Sequence, residues 1–178
     1  MKPSLHVTKL DVAKRQLETA ILLYFNNSDP VSIHTLAAAA YNILRTLNKN
    51  VGGDIMLKDC GQFLNAEQQK EFHRWVNEAE NFFKHADRDA DKSYKFKPES
   101  TEAMLVEAAR KYIQLTEEYP PYIHIFVIWF ITRHQEMFKK VPGAEQMLKS
   151  IGGLPIPENR REFFDGCLQI VTKVKSGG

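Results

Sequence analysis

Apolar residues recur every three or four positions along almost the whole chain, and no stretch of any length alternates apolar with polar residues as a half-buried strand does. Helical spacing puts those side chains on one face and leaves the other to water, so a chain of this kind folds by packing helix on helix. Leu10, Ala13, Leu17, Ala20, Ile21 and Tyr24 form the first stripe, and Thr8-x-x-Asp11 has capping-box spacing at its start. Asn26-Asn27-Ser28 breaks it. Asp29 then suits an N-cap and Pro30 a first helical position, ahead of a second stripe through Ile33, Leu36, Ala37, Ala40, Tyr41, Leu44 and Leu47.

Gly52-Gly53 ends that helix, and 51–64 reads as a loop of low periodicity. A third helix starts near Asn65, with Gln68 in the partner position of a capping box and an apolar face of Phe72, Trp75, Val76, Ala79, Phe82, Phe83 and Ala86. Ser100 is the expected cap of a fourth, which carries Met104, Leu105, Ala108, Tyr112 and Leu115. A fifth, over 121–140, is apolar nearly all round in its first half, which predicts a central position. A short helix over 143–150, a Gly/Pro connector over 152–157 and a last helix over 158–173 complete the reading. The expected fold is all-α: one domain over 1–178, an antiparallel bundle of about five long helices plus one or two short ones.

With 178 residues, 43% of them hydrophobic, the chain is long enough to bury its own core. Basic and acidic residues number 24 and 22, so net charge by itself points to no polyanionic partner. Cys60 and Cys167 are far apart and form no CxxC pair, which argues against a disulfide framework and for a reducing, cytoplasmic setting. The N-terminus has no apolar core of signal-peptide length, and the most apolar run, Tyr122–Ile131, is too short to span a bilayer. No membrane association is expected.

Several chemistries lack their residues. There is no HExxH, no GxxxxGK[ST], no GxSxG and no Glu-x-x-His pair, so neither a metal site nor a cofactor is expected. Asp87-Arg88-Asp89-Ala90-Asp91-Lys92 has the alternating carboxylates of a calcium loop. Lys92 stands where the sharp turn needs glycine, and Pro98 where the bidentate glutamate belongs, so it reads as a solvated loop. Arg133-His134 and Arg160-Arg161 read as small basic spots of surface charge.

One polar stripe is the strongest candidate for function. Arg74, Glu78, Asn81 and His85 are spaced by four, three and four residues, so they share a helix face beside the aromatic stripe. A histidine at a helix C-terminus is suited to proton transfer near neutrality. His34, between two core positions of the second helix, either hydrogen-bonds a neighbour in the core or faces the same cleft as His85. His124 is a third histidine whose place relative to these two the sequence leaves open.

The stretch Ala13–Leu23, continued through Asp29-Pro30-Val31-Ser32 to Ala37–Leu44, together with the later Asn81-Phe82-Phe83-Lys84-His85, resembles the HEPN superfamily of small helical bundles over about residues 8–90. The family signature is an arginine, often followed by a polar residue, and then a histidine four to six positions on. The resemblance implies a homodimer with its cleft across two subunits, and RNA or nucleotide as ligand. In active members it implies metal-independent RNA cleavage, in bacterial stress or defence. His85 takes the histidine position and Asn81 the polar one, with Lys84, Arg88, Arg74 and His34 as candidate substrate contacts. The arginine position falls on Glu80, whose carboxylate repels phosphate. The alternative to an RNA-directed role is a non-catalytic helical module that binds a protein partner or dimerises.

Overall fold

The computed structural model describes residues 4–87, 89–139, 146, 149 and 158–176. Arg88, most of the short helix expected over 143–150, and the connector over 152–157 lie outside the described residues. The fold is all-α, and among the described residues there is no strand. In chain order the elements are α1 (Lys9–Phe25), α2 (Pro30–Asn50), a 3-10 helix (Leu57–Phe63), α3 (Ala66–Lys84), α4 (Ser100–Thr116), α5 (Pro121–Arg133), α6 (Gln135–Phe138) and α7 (Arg160–Ser176).

Local chemistry sets most helix starts. Thr8 and Asp11 exchange hydrogen bonds in a capping box at α1, Asp29 accepts from the Ser32 backbone at α2, and Asn65 accepts from the Gln68 backbone at α3. Between α1 and α2, Asn27 takes a left-handed φ of 52°, which asparagine tolerates better than most residues. At the α4 start the cap is Glu99, without a side-chain hydrogen bond; Ser100 sits inside the helix and its hydroxyl donates to the Lys97 carbonyl.

The core lies where α1, α2, α4 and α5 meet, with α7 closing one side. α1 and α2 pack most extensively. Ala13 and Ala20 on one and Ala37, Ala38 and Ala40 on the other are fully buried, and these small side chains let the two helices approach closely. α5 is the central helix: Ile123, Ile125, Phe126, Trp129 and Phe130 are buried, and Phe25 meets Phe126, Trp129 and Phe164 in an aromatic cluster. It ends at Arg133, short of the expected 140, because His134 leaves helical geometry (φ −117°, ψ 36°) and α6 starts anew. No helix among the described residues is long and apolar enough to cross a membrane.

α3 departs most from expectation. Among the helices it packs chiefly against the 3-10 helix and α2, and its one buried residue is Glu80. Trp75, on the expected apolar face, is 66% exposed.

Candidate functional site

The segment expected to be a loop after α2 contains the element that builds the site. Met56, fully buried, anchors the 3-10 helix. The Glu107 carboxylate of α4 accepts from the Leu57 backbone N–H (2.9 Å) and from the Tyr41 hydroxyl of α2 (2.6 Å); the Tyr41 oxygen in turn accepts from the Lys58 backbone N–H. Burial and the Glu107 carboxylate push the Tyr41 pKa up, so the phenol stays protonated as a donor. These bonds fix Lys58 with its ammonium over the Tyr41 ring, 5.5 Å from the centroid.

Lys58 meets Glu80 of α3 in a buried ion pair, Nζ to Oε2 2.6 Å, with the side chains 3% and 9% exposed. Asn42 bridges the pair, donating to Glu80 Oε1 and accepting from Lys58 Nζ. Lys84, one turn on in α3, donates to the same carboxylate. Burial pulls the Lys58 pKa down, against the pull of Glu80. For Glu80, burial pushes the pKa up, but hydrogen bonds from Lys58 and Lys84 outweigh it and hold the carboxyl below its usual value.

The connector from α3 to α4 returns along this cluster. Tyr94 packs on Phe82 and Phe83, and Phe96 packs on Phe83 and on His34. Between α2, the 3-10 helix, α3, this connector and α4 lies a cavity of about 410 Å³. Trp75, Val76 and Ala79 of α3 and Met104 of α4 give it apolar walls; Tyr94, Lys95, Lys97 and Glu78 give it polar ones. His34 and Lys58 also line it. Among the described residues Lys95 and Lys97 stand in no ion pair, while Glu78 is within 3.5 Å of the Tyr94 hydroxyl.

His34 is 4% exposed, with Nδ1 2.9 Å from Thr101 Oγ1 and the Phe83 and Phe96 rings edge-on to it. Burial, helped by the Lys58 and Lys84 charges and opposed by Glu80, lowers its pKa to about 4. At neutral pH it is an uncharged imidazole with one donor and one acceptor nitrogen, and Nε2 has no hydrogen-bond partner among the described residues.

No family model, curated protein or solved structure matches this chain. Geometry therefore carries the functional argument alone. Of the residues singled out from sequence, His34 lines the cavity and Lys84 joins the ion pair behind it; Arg74, Asn81 and His85 do not line it. His85 caps the end of α3, its backbone N–H donating to the Asn81 carbonyl, and its side chain is exposed, with Nδ1 4.0 Å from Asp87 Oδ1. Arg74 lies eleven residues before it, about 16 Å along the helix axis. His124 packs against Tyr119, away from the cavity. Sequence reasoning missed Trp75, Tyr94, Lys95 and Lys97. The alternation Tyr94-Lys95-Phe96-Lys97, aromatic interleaved with basic, was the available signal. Among the described residues no group of acids, histidines and cysteines is placed to hold a metal.

Proposed function

We propose that this chain is a HEPN-like binding module that holds a nucleotide, free or as a unit of RNA, in the cavity between α2, α3 and α4. The observation that carries this reading is the pairing of aromatic walls at Trp75 and Tyr94 with the unpaired cations Lys95 and Lys97 in one cavity. An aromatic face stacks a base, and ammonium groups at the rim attract its phosphate. Neutral His34 adds a polar atom at the wall, able to hydrogen-bond a base edge without adding charge.

The same geometry favours binding over cleavage. RNA cleavage of the expected kind needs a cation beside the histidine to stabilise charge on the phosphate. Around His85 the described residues offer Asp87 at 4.0 Å, while Glu80 and Lys84 are committed to each other. Titration with adenosine monophosphate, and separately with a short mixed-sequence RNA, followed by calorimetry, tests the proposal. Trp75→Ala should cost about 1–3 kcal/mol of affinity through lost stacking. Lys95→Ala/Lys97→Ala should weaken binding and flatten its salt dependence. Wild-type protein that binds neither ligand, with no nucleic acid co-purifying, would refute it.

A second reading, a protein-binding or dimerising module, is favoured by one observation. Phe63 and Leu64 at the end of the 3-10 helix and Trp75 on the adjoining α3 are all exposed. Sedimentation of wild type beside Phe63→Ser decides it: a dimer that the substitution dissociates supports this reading.

A further inference from the structure

Two basic spots that are separate in sequence line one space in the fold. Arg133, at the end of α5, and Arg160, at the start of α7, face a cavity of about 450 Å³ together with Tyr24, Trp129, Glu102 and Glu158. A smaller cavity of about 280 Å³ shares Tyr24, Glu102, Arg133 and Arg160, so the two form lobes around the same groups. No residue here lines the aromatic cavity described above.

Both guanidinium groups are held in place by ring contacts rather than by ion pairs. Arg160 lies over the Tyr24 ring, 4.2 Å from its centroid, and its Nε donates to Asn27 Oδ1 at 2.6 Å. Arg133 lies over Trp129, 5.7 Å from the centroid. The two rings are themselves fixed: Trp129 Nε1 donates to the Tyr24 hydroxyl (3.2 Å), and that hydroxyl donates to Glu102 Oε1 (2.6 Å). Among the described residues the arginine ion pairs are Arg45–Asp59 and Arg161–Asp165; Arg133 and Arg160 are in none. Stacking on a ring fixes a guanidinium plane and leaves N–H groups at its edge to donate. On Arg160, Nε is taken by Asn27 and the Tyr24 hydroxyl is a further partner, which leaves the rest of its N–H donors. Two such groups around one cavity match a tetrahedral oxyanion, which accepts from several donors at once.

Two carboxylates share the larger lobe. Glu102 has both oxygens engaged, one by Tyr24 and the other 3.4 Å from His134 Nε2. Glu158 is exposed, where water weakens its opposition to an anion without abolishing it. Glu99, in the smaller lobe, is exposed as well.

We propose that Arg133 and Arg160 together form a phosphate-binding site, for inorganic phosphate or the phosphoryl group of a small phosphomonoester. The test is calorimetric titration of the full chain at low ionic strength with inorganic phosphate and with glycerol 3-phosphate, and acetate as competitor. Saturable binding of either phosphate is expected; the ester alone would show that the organic part is also held. Arg133→Gln or Arg160→Gln should weaken binding about tenfold or more, as loss of a charged fork implies. Glu158→Gln should tighten it, a change that a purely structural role would not produce. Circular dichroism checks each variant for folding, and if Arg160→Gln unfolds, Arg133→Gln decides. No saturable binding by wild type, unchanged affinity in a folded arginine variant, or displacement of phosphate by equimolar acetate would overturn the proposal.

Discussion

Removing the Glu80 carboxylate should unfasten α3 from the rest of the molecule. Glu80→Ala deletes the acceptor of three hydrogen bonds, from Lys58, Lys84 and Asn42. It also strands the Lys58 ammonium, whose side chain is 3% exposed, with Asn42 as its remaining partner. Breaking a buried pair from one side typically costs about 3–5 kcal/mol, because a desolvated charge stays behind. Lys84 adds little to that sum: its side chain is 37% exposed, and ion pairs at such sites contribute about 1 kcal/mol or less. For a domain of this size the loss corresponds to a fall in Tm of roughly 6–20 °C if unfolding is global. The structure suggests where it will appear first. α3 packs chiefly on the 3-10 helix, α2 and the connector residues Tyr94 and Phe96, at the edge of the core, so it can open first. Urea unfolding should be paired with hydrogen exchange across residues 66–84. Lys58→Met/Glu80→Leu is the control, since replacing both charges by apolar side chains is often neutral. Glu80→Ala within about 1 kcal/mol of wild type, with α3 amides equally protected, would refute the reasoning.

Two further outcomes follow from single groups. His34 has a pKa of about 4 in the fold against an ordinary value of 6.5, so the unfolded chain binds the extra proton between those values. Its neutral form therefore contributes stability that is complete above pH 6.5 and lost as pH falls toward 4, about 3 kcal/mol over that window. His34→Gln should flatten the stability–pH curve there in chemical denaturation, and a curve as steep as wild type would show that another group titrates. Gly53 leaves room for Asn48: a Cβ at 53 would collide with the Asn48 amide, which is buried and donates to the Asp54 carbonyl at 2.7 Å. Gly53→Ala should cost about 1–3 kcal/mol in thermal unfolding, by displacing that amide from its acceptor.

Most of the bundle was legible in sequence because its determinants are local. Thr8, Asp29 and Asn65 announce helix starts through side chains that reach backbone groups within three residues, and the stripes of α1, α2, α4 and α5 are the surfaces that become buried. Periodicity says which residues share a face; it does not say whether anything covers that face. Trp75 sits on a proper helical stripe and is exposed, because α3 is laid against a short 3-10 helix too small to cover it. The site was hidden for a related reason. Glu80 lies outside the apolar stripe of α3, and Lys58 lies in a segment without periodicity. Two opposite charges 22 residues apart give no sign in sequence that they will be buried together. Arg133 and Arg160 are the same case at longer range.

The place of Glu80 also couples the ion pair to the proposed ligand. The carboxylate that falls on the expected arginine position holds Lys58 at the cavity wall and holds down the helix that carries Trp75. A nucleotide touching both α3 and the connector would bind only the docked form, and so stabilise docking by mass action. At 100 times its Kd it would contribute about 2.7 kcal/mol, more than half of the loss expected from Glu80→Ala. Saturating adenosine monophosphate should therefore restore much of the hydrogen-exchange protection of residues 66–84 in that variant. In Trp75→Ala/Glu80→Ala the rescue should shrink in proportion to the lost affinity. Nucleotide that binds the variant yet leaves α3 as open as before would mean that the base lies elsewhere, and the cavity would lose its claim to be the site.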